Sequence, residues 1–255
     1  MDPATLIGLA LAIGAILGAI ILEGSSPLSV ILPAPMLLVI VGTIGATLAG
    51  LRMPDLSPVI KGTIKALTGK AVNAADTVDV VVSLAEKARR EGLLALEDAA
   101  KDVDDEFLRE GLQAAIDGTD PEDLREMLTD KIETKRASDK VAIGFYGTMG
   151  GYAPTVGIIG TVVSLVHVLE NLADPAELGH MIAAALVATF WGLLTANIVY
   201  LPMSGRLKRL SETECSQMEL VVEGLMAVQA GSNPRLVAQR LKSLVPPAAA
   251  QKDAA

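Results

Sequence analysis

Residues 152–169, YAPTVGIIGTVVSLVHVL, and residues 181–201, MIAAALVATFWGLLTANIVYL, decide the fold of this chain. Each stretch is long and apolar enough to cross a bilayer as a helix. Neither contains Asp, Glu, Lys or Arg. An ion path through lipid normally needs an ionisable group at mid-depth. If ions pass along these helices, something other than these two helices must supply the charge.

The composition of the chain is typical of a helical membrane protein. Of its 255 residues, 51% are hydrophobic and only 3% are aromatic. The net charge of −9 is concentrated between Met53 and Lys140. The single cysteine, Cys215, excludes a disulfide within the chain and is expected to be a small buried side chain in a reduced compartment.

Several kinds of site are missing from the sequence. It contains no strand-like alternation, no nucleotide-binding glycine loop and no cluster of metal-ligand spacing. We therefore expect no catalytic residue, no bound metal, no cofactor and no nucleic-acid partner. The chain is predicted not to be an enzyme.

Four stretches are predicted to span the membrane, which makes this an all-α membrane protein. They are Ala4–Leu22, Ala34–Leu51, Tyr152–Leu169 and Leu178–Leu201. Ala4–Leu22 lacks a preceding basic segment and is followed closely by a second span, so we interpret it as a retained helix, not a signal peptide. The predicted organisation is helices one and two in residues 1–51, a cytoplasmic helical domain in 52–150, helices three and four in 151–202, and cytoplasmic helices with a disordered end in 203–255.

The positions of Lys and Arg predict the orientation in the membrane. Basic residues follow span two, precede span three and follow span four, whereas the two short connections, Glu23–Pro33 and Glu170–Gly179, have none. By the positive-inside rule, both termini and the middle segment are cytoplasmic. In that segment, helical spacing predicts helices over Asp76–Arg90 and Asp104–Asp117, and a third that starts at Asp120 and runs towards span three.

Small and hydroxyl residues form a stripe on each of the last two spans. The stripes are Pro154, Gly157, Thr161 and Ser164, and Ala185, Thr189, Gly192 and Ala196. One interpretation is a tight helix interface in which threonine bonds to its own turn, and spacing alone favours it. The other is the lining of an ion path. Pro154 and Pro202 either end or kink their helices or form a paired hinge.

Other polar and aromatic residues have simpler interpretations. Arg89 and Arg90 follow Glu86 at helical spacing, which is typical of a solvated helix end. His167 and His180 lie at the outer ends of spans, where a polar tip can reach the lipid headgroups. Trp191 lies in mid-span and is expected to pack in the core.

Several motifs resemble those of the MotA/PomA family of flagellar stator subunits, within the MotA/TolQ/ExbB superfamily. The similarity covers nearly the whole chain in order. It is carried by KARREGLLALE (87–97), DGTDP (117–121), YAPTVGIIGT (152–161), Asp174-Pro175, ATFWG (188–192), NIVYLP (197–202) and EGLMAVQAGSNPR (223–235).

This resemblance implies an ion-driven stator in the bacterial inner membrane. A homopentamer embedded in lipid would surround the paired single spans of a MotB/PomB-like, peptidoglycan-binding partner, which supplies the ion-binding aspartate. Na⁺ or H⁺ would be transported, not held as a cofactor, and rotation of the ring would drive the rotor switch protein FliG.

The resemblance also assigns roles to individual residues. It implies that Thr161 and Thr189 lie on the ion pathway and that Pro154 and Pro202 are the hinge. Arg89, Arg90, Glu97 and Glu133 would face the rotor. Thr161 stands where Na⁺-using members carry threonine and several H⁺-using members carry alanine. A hydroxyl oxygen is a suitable hard ligand for a cation, so Na⁺ is favoured by a small margin.

Two alternatives remain open from the sequence. An ExbB/TolQ-like energiser of an outer-membrane process would have three spans, with the large insert after the first. A self-sufficient channel or transporter would need a charged or discontinuous binding site within its spans, and this sequence offers none.

Overall fold

The computed structural model describes residues 3–69, 74–170 and 175–245, apart from the side chains of residues 175–177 and 180. Within these ranges the chain is helical and contains no strand, as the all-α prediction requires. The backbone divides into two compact units. Unit 1 comprises Met1–Lys70 and Asp139–Arg209, and unit 2 comprises Ala71–Ser138 and Leu210–Ala255.

Unit 1 contains the apolar helices. They are α1 (Pro3–Leu22), a 3-10 turn (Pro27–Val30), α2 (Pro33–Leu48), a second 3-10 turn (Met53–Asp55), α3 (Leu56–Thr68), the later part of α7 (Pro121–Glu170), α8 (Pro175–Leu194), a π-helix (Thr195–Tyr200) and the start of α9 (Leu201–Gln229). Helix α2 begins with proline at its first position, where the missing N–H would have had no partner.

Three helical segments of the described chain are long and apolar enough to cross a membrane: Pro3–Leu22, Pro121–Glu170 and Met181–Gln229. Helix α2 is apolar but shorter, because it ends at Leu48 and not at the predicted Leu51. Its 16 residues extend about 24 Å, against a hydrocarbon core of about 30 Å. The count of four membrane spans therefore stays a prediction.

Helix α1 has no buried residue. At least half of the surface of the Leu6, Ile7 and Leu11 side chains is exposed. A helix that is apolar on all sides is suited to contact with lipid or with another membrane helix. A polar contact links it to α9: Arg206 donates to the Thr5 hydroxyl at 2.7 Å.

One buried apolar cluster of unit 1 lies where α3, α7, the π-helix and α9 meet. It is formed by Val59, Ala66, Ala142, Phe145, Tyr146, Met149, Ala153, Ala196, Tyr200 and Leu207. Helices α3 and α7 approach closely at Gly62, where a Cβ atom would lie 2.4 Å from that of Ala142. The Arg206 guanidinium also donates to the carbonyls of Ala66 and Gly69, and so satisfies backbone acceptors at the end of α3.

Unit 2 is a bundle with a leucine- and valine-rich core. Its elements are α4 (Ala74–Glu91), a 3-10 turn (Leu93–Ala95), α5 (Leu96–Lys101), α6 (Glu106–Ile116), the first part of α7, the later part of α9 and α10 (Pro234–Leu244). Leu96, Leu112, Leu124, Leu128 and Val221 are fully buried. The free Cys215 belongs to this core, as expected of a small apolar side chain.

The helices predicted from Asp76, Asp104 and Asp120 begin within two residues of those positions, at Ala74, Glu106 and Pro121. The Asp105 carboxylate accepts a hydrogen bond from the Leu108 N–H and caps α6. Asp120 does the same for Glu122 at the start of α7, and Asn233 for Arg235 at the start of α10. A capping residue directly before the first helical residue thus marks each of these starts.

Candidate functional site

The two predicted pathway threonines meet in the structure. Thr161 on α7 and Thr189 on α8 are both half-buried, and their hydroxyls are hydrogen-bonded to each other. The Thr161 hydroxyl also lies 3.2 Å from the backbone carbonyls of Gly157 and Ala185. Because a hydroxyl carries one proton, these donations are alternatives. The arrangement collects four oxygen atoms between two helices.

Two glycines allow the helices to come this close. A Cβ atom on Gly157 would lie 2.9 Å from the Ala188 carbonyl oxygen. One on Gly192 would lie 2.6 Å from the Ala153 carbonyl oxygen. Contacts this short do not occur for real side chains, so glycine is required at both positions. The sequence stripes therefore do form a tight helix interface, and Thr161 does bond to its own turn.

The two stretches that carry the threonine pair are almost free of ionisable side chains. Apart from His167, neither Tyr152–Leu169 nor Met181–Leu201 contains an acidic or basic residue. The His167 ring is 3.8 Å from the Glu170 carboxylate at the exposed end of α7. The His180 side chain lies outside the described residues. Within the described residues, no group of three or more His, Cys, Asp or Glu side chains could hold a metal ion.

Pro154 lies inside α7, and the helix continues through it. The proline removes one backbone hydrogen bond and crowds the carbonyl four residues earlier, which weakens the helix at that point. The interpretation of Pro154 as a helix end is wrong, because α7 extends from Pro121 to Glu170. A kink or hinge at this residue stays a prediction.

Pro202 lies two residues after a π-helix that the sequence did not reveal. Residues Thr195–Tyr200 form a π-helix, and the Leu201 N–H donates to the Ala196 carbonyl five residues back. A widened turn gives room ahead of a proline ring that would otherwise crowd the helix. The helix therefore continues through Pro202 to Gln229. π-Helical turns are frequent at functional sites.

The charged candidates Arg89, Arg90 and Glu97 are exposed on unit 2. Arg90 pairs with Glu86 at 3.5 Å, as the sequence spacing suggested, and both side chains are more than half exposed. Arg89 has no hydrogen bond or ion pair within the described residues. Glu97 lies in the first turn of α5, across a short connection that turns at Gly92 with a φ of 87°.

Leu94 lies in that connection and is 76% exposed, although both Leu93 and Leu96 pack into the core. Sequence reasoning missed it because an apolar residue in LLAL gives no signal of exposure. The sharp turn at Gly92 leaves this one leucine at the surface, between Arg90 and Glu97 in the chain.

Glu133 is also exposed, but it is held in an ion-pair network of unit 2. Its carboxylate pairs with Arg136 at 2.5 Å, and Arg136 also pairs with Glu219 at 2.9 Å. Similar pairs link helices α6, α7, α9 and α10: Lys131–Glu110, Lys135–Glu214, Arg125–Glu223 and Arg240–Glu223. Glu133 is therefore less available to a partner than Arg89.

A cleft of about 550 Å³ lies beside this network. Its charged lining includes Arg125, Glu133, Glu219, Glu223 and Arg240. The hydrogen bond from Arg125 holds the pKa of the Glu223 carboxyl below its ordinary value, with further help from the Arg125 and Arg240 charges. The network therefore fixes α7, α9 and α10 by charge as well as by packing.

Comparisons with known proteins identify the family of this chain. The profile of the MotA/TolQ/ExbB proton channel family matches residues 99–220, and the profile of the motility protein A N-terminal region matches residues 6–92. Motility protein A of Bacillus subtilis (strain 168) is 35% identical over 252 residues, which is 96% of this chain and 92% of that protein. The chain belongs to the motility protein A family.

Another relative and two solved structures are also similar to this chain. Chemotaxis protein PomA of Vibrio alginolyticus is 32% identical over 243 residues, 95% of each chain. The structure of C. jejuni MotAB superposes with a TM-score of 0.93 at 26% identity, with 97% of each chain covered. The flagellar MotAB stator complex of Bacillus subtilis gives 0.90 at 33% identity, with 99% of this chain and all of that chain covered.

Family membership confirms the resemblance seen in the sequence. Motility protein A is an inner-membrane protein, and its superfamily is described as a proton channel family, not as a class of enzymes. The apolar helices of unit 1 are consistent with that location. The individual roles of the threonines, prolines and surface charges are predictions about this member.

Proposed function

We propose that this chain is the ion-conducting stator subunit of a bacterial flagellar motor, and that ion flow past it generates torque. The observation that carries the proposal is the Thr161–Thr189 contact, an uncharged oxygen cluster in a glycine-lined interface between two membrane helices. The full-length likeness to proteins of the MotAB complexes supports the same function.

In this proposal the ion-binding carboxylate comes from a MotB/PomB-like partner with a single span and a peptidoglycan-binding domain. Five copies of this chain surround two copies of that span and rotate as ions pass. The lack of Asp, Glu, Lys and Arg in spans three and four supports this division of labour. A carboxylate in lipid is costly, and one supplied by the partner avoids placing one in every subunit of the ring.

The oxygen cluster is the part of this chain that meets the ion. Hydroxyl and carbonyl oxygens are hard ligands, and the exchangeable hydrogen bond between Thr161 and Thr189 can open to offer both oxygens to a cation. Na⁺, which must exchange its water ligands for protein oxygens, gains more from such a cluster than H⁺ does. This chemistry supports a small preference for Na⁺.

Torque reaches the rotor through unit 2. Arg89, Arg90 and Glu97 are exposed and available to the rotor switch protein FliG. Glu133 is a weaker candidate because Arg136 already pairs with it. The placement of Lys and Arg supports a cytoplasmic location for both termini and for residues 52–150, with four spans in all.

Pro154 and the segment from Thr195 to Pro202 are proposed as the hinges through which motion leaves the membrane helices. The support is the weakened backbone at each place: an interior proline in α7 and a π-helix followed by proline in the next helix. Hinges of this kind absorb changes in backbone angle over a few residues.

The test is co-expression with the candidate partner in cells that lack their own stator. Swimming should be restored only when both proteins are present, and imaging of the purified complex should show a ring of five subunits around two partner spans. The chain alone in liposomes should pass neither Na⁺ nor H⁺. Robust conduction by the chain alone would overturn the proposal.

An ExbB/TolQ-like energiser is less well supported. The superfamily profile covers both groups, but the motility-specific N-terminal profile matches residues 6–92 as well. A self-sufficient channel has no supporting feature within the described residues, since the spans present no charged binding site.

A further inference from the structure

Trp191 forms a polar contact that its position in the sequence did not predict. Its indole N–H donates to the backbone carbonyl of Val30 at 2.6 Å, and the side chain is half-buried. Val30 ends the 3-10 turn Pro27–Val30, which connects α1 to α2. An indole N–H without a partner in apolar surroundings is costly, so this contact has a clear energetic reason. Trp191 therefore makes a specific hydrogen bond in addition to its packing contacts.

The contact lies on the opposite side of α8 from the threonine pair. Residues two positions apart on an α-helix point about 200° from each other. Thr189 faces α7 and bonds to Thr161, so Trp191 faces away from α7, towards the turn. Rotation of α8 about its axis in either direction would strain both contacts. Together they fix the direction in which Thr189 presents its hydroxyl.

The backbone of Trp191 is connected to the π-helix as well. Its carbonyl accepts a hydrogen bond from the Thr195 hydroxyl at 2.7 Å, and Thr195 is the first residue of the π-helix. Thr195 also lies within 3.3 Å of the Gly192 carbonyl. Trp191 thus lies between two parts of the helix. Before it is Thr189, which is hydrogen-bonded to α7, and after it is the π-helix Thr195–Tyr200.

We propose that Trp191 is a positioning residue of the ion pathway. The hydrogen bond from its indole fastens α8 to the α1–α2 turn and sets the orientation of Thr189, ahead of the π-helix at Thr195–Tyr200. This inference rests on the proposed function, because it requires Thr189 to meet the ion. Trp191 itself does not touch the ion.

The first test separates the hydrogen bond from the volume of the ring. Trp191→Phe keeps an aromatic ring and removes the N–H donor. Val30→Ala is the matched control, because the acceptor is a backbone carbonyl that survives the substitution. Each variant is co-expressed with the partner, and swimming speed is recorded against the external concentration of the ion that the wild-type motor requires.

The expected result is a shift in ion dependence. The ion concentration for half-maximal speed should rise about three- to tenfold in Trp191→Phe, the range that corresponds to loss of one hydrogen bond. Maximal speed and the amount of assembled complex should be retained, and Val30→Ala should behave as wild type. Reduced assembly or maximal speed with an unchanged half-maximal concentration would show that Trp191 only packs, and would overturn the inference.

A second measurement does not depend on the folding of a Trp191 variant. Trp191 is the only tryptophan of the chain, so its fluorescence in a complex whose partner lacks tryptophan reports on this site alone. Thr189→Val removes the contact on the opposite face and should shift the Trp191 emission. Ser243→Ala, in α10 of unit 2, is the control that should not shift it. An identical spectrum in Thr189→Val would refute the inference.

The outcomes also separate this inference from the proposed function. If wild-type protein with its partner gives no ion-dependent swimming, the proposed function fails. If it does swim and Trp191→Phe has the wild-type ion dependence, only the positioning role of Trp191 fails.

Discussion

Gly192 of α8 lies directly against the backbone carbonyl of Ala153 in α7, so that a Cβ atom on Gly192 would be 2.6 Å from that oxygen. The obstacle is backbone on both helices, which cannot turn aside as a side chain can. Gly157 faces the reciprocal obstacle at the Ala188 carbonyl. The distance between these two helices is therefore set by glycine, and the threonine contact depends on it.

We expect Gly192→Ala to destabilise the protein by about 1–3 kcal/mol, because overpacking forces the helices apart. Thermal unfolding of the purified complex measures the change. Gly144→Ala is the control, since nothing lies within 4 Å of the added carbon and alanine favours a helix. Equal stability of the two variants would contradict the close-packing argument.

Removal of external Na⁺ at fixed pH should abolish swimming if the Thr161 hydroxyl binds Na⁺. Thr161→Val keeps the shape of the side chain and removes the oxygen, so it should raise the Na⁺ concentration required for half-maximal speed. Speed in tracked cells gives both values. Swimming that persists without Na⁺ would show that the motor uses H⁺.

Pro154→Leu should restore the missing backbone hydrogen bond of α7 and stiffen the helix there. Rotation should stall while insertion into the membrane and assembly with the partner remain normal. Tethered-cell rotation measures torque, and membrane fractionation measures insertion. Normal torque in this variant would eliminate the hinge at Pro154.

Arg89→Glu should lower torque without loss of assembly, because Arg89 is exposed and has no ion pair or hydrogen bond within the described residues. Arg89→Lys retains the charge and should retain most of the torque. Torque is measured on a bead attached to the flagellum. If Arg89→Glu prevents assembly of the ring, Arg89 is a structural residue.

The stability of unit 2 should fall in acid because of Glu223. Its pKa is lowered in the folded state, chiefly by the hydrogen bond from Arg125, from an ordinary value of 4.5. A lowered pKa contributes stability that is present above the ordinary value and is lost as the pH falls through the folded value. Unfolding of the purified complex by denaturant, followed by circular dichroism between pH 7 and strongly acidic pH, measures this loss.

Glu223→Gln is the control for the acid effect, because it removes the charge that titrates. Its deficit relative to wild type should be largest near neutral pH and should shrink as the pH falls below 4.5. A deficit that is constant with pH would mean that the Arg125 and Arg240 pairs contribute nothing through charge.

The features that sequence predicted are those set by near neighbours in the chain. Asp120 marks a helix start because its carboxylate caps an N–H group two residues later. The helix predicted from Asp104 begins at Glu106, with Asp105 as its cap. The stripe of Gly157 and Thr161 follows from helical periodicity. Family resemblance, carried by motifs such as YAPTVGIIGT, added the function that periodicity alone left open.

The features that sequence did not predict depend on distant partners or on small differences in backbone energy. Trp191 meets Val30 across 161 positions, and Arg136 meets Glu219 across 83. Periodicity gives no information on such pairs. The π-helix at Thr195–Tyr200 depends on the balance between a proline ring two residues later and local packing, and TANIVY carries no motif for it.

The widened turn before Pro202 changes the direction in which the side chains after it point. A π-turn accommodates one residue more than an α-turn, and one residue corresponds to about 100° of rotation. A side chain such as Arg206 therefore points about 100° away from the direction that an uninterrupted α-helix from Thr189 would give it. Deletion of one residue within Thr195–Tyr200 would turn Arg206 away from Thr5 and Ala66 while its sequence neighbours remained the same.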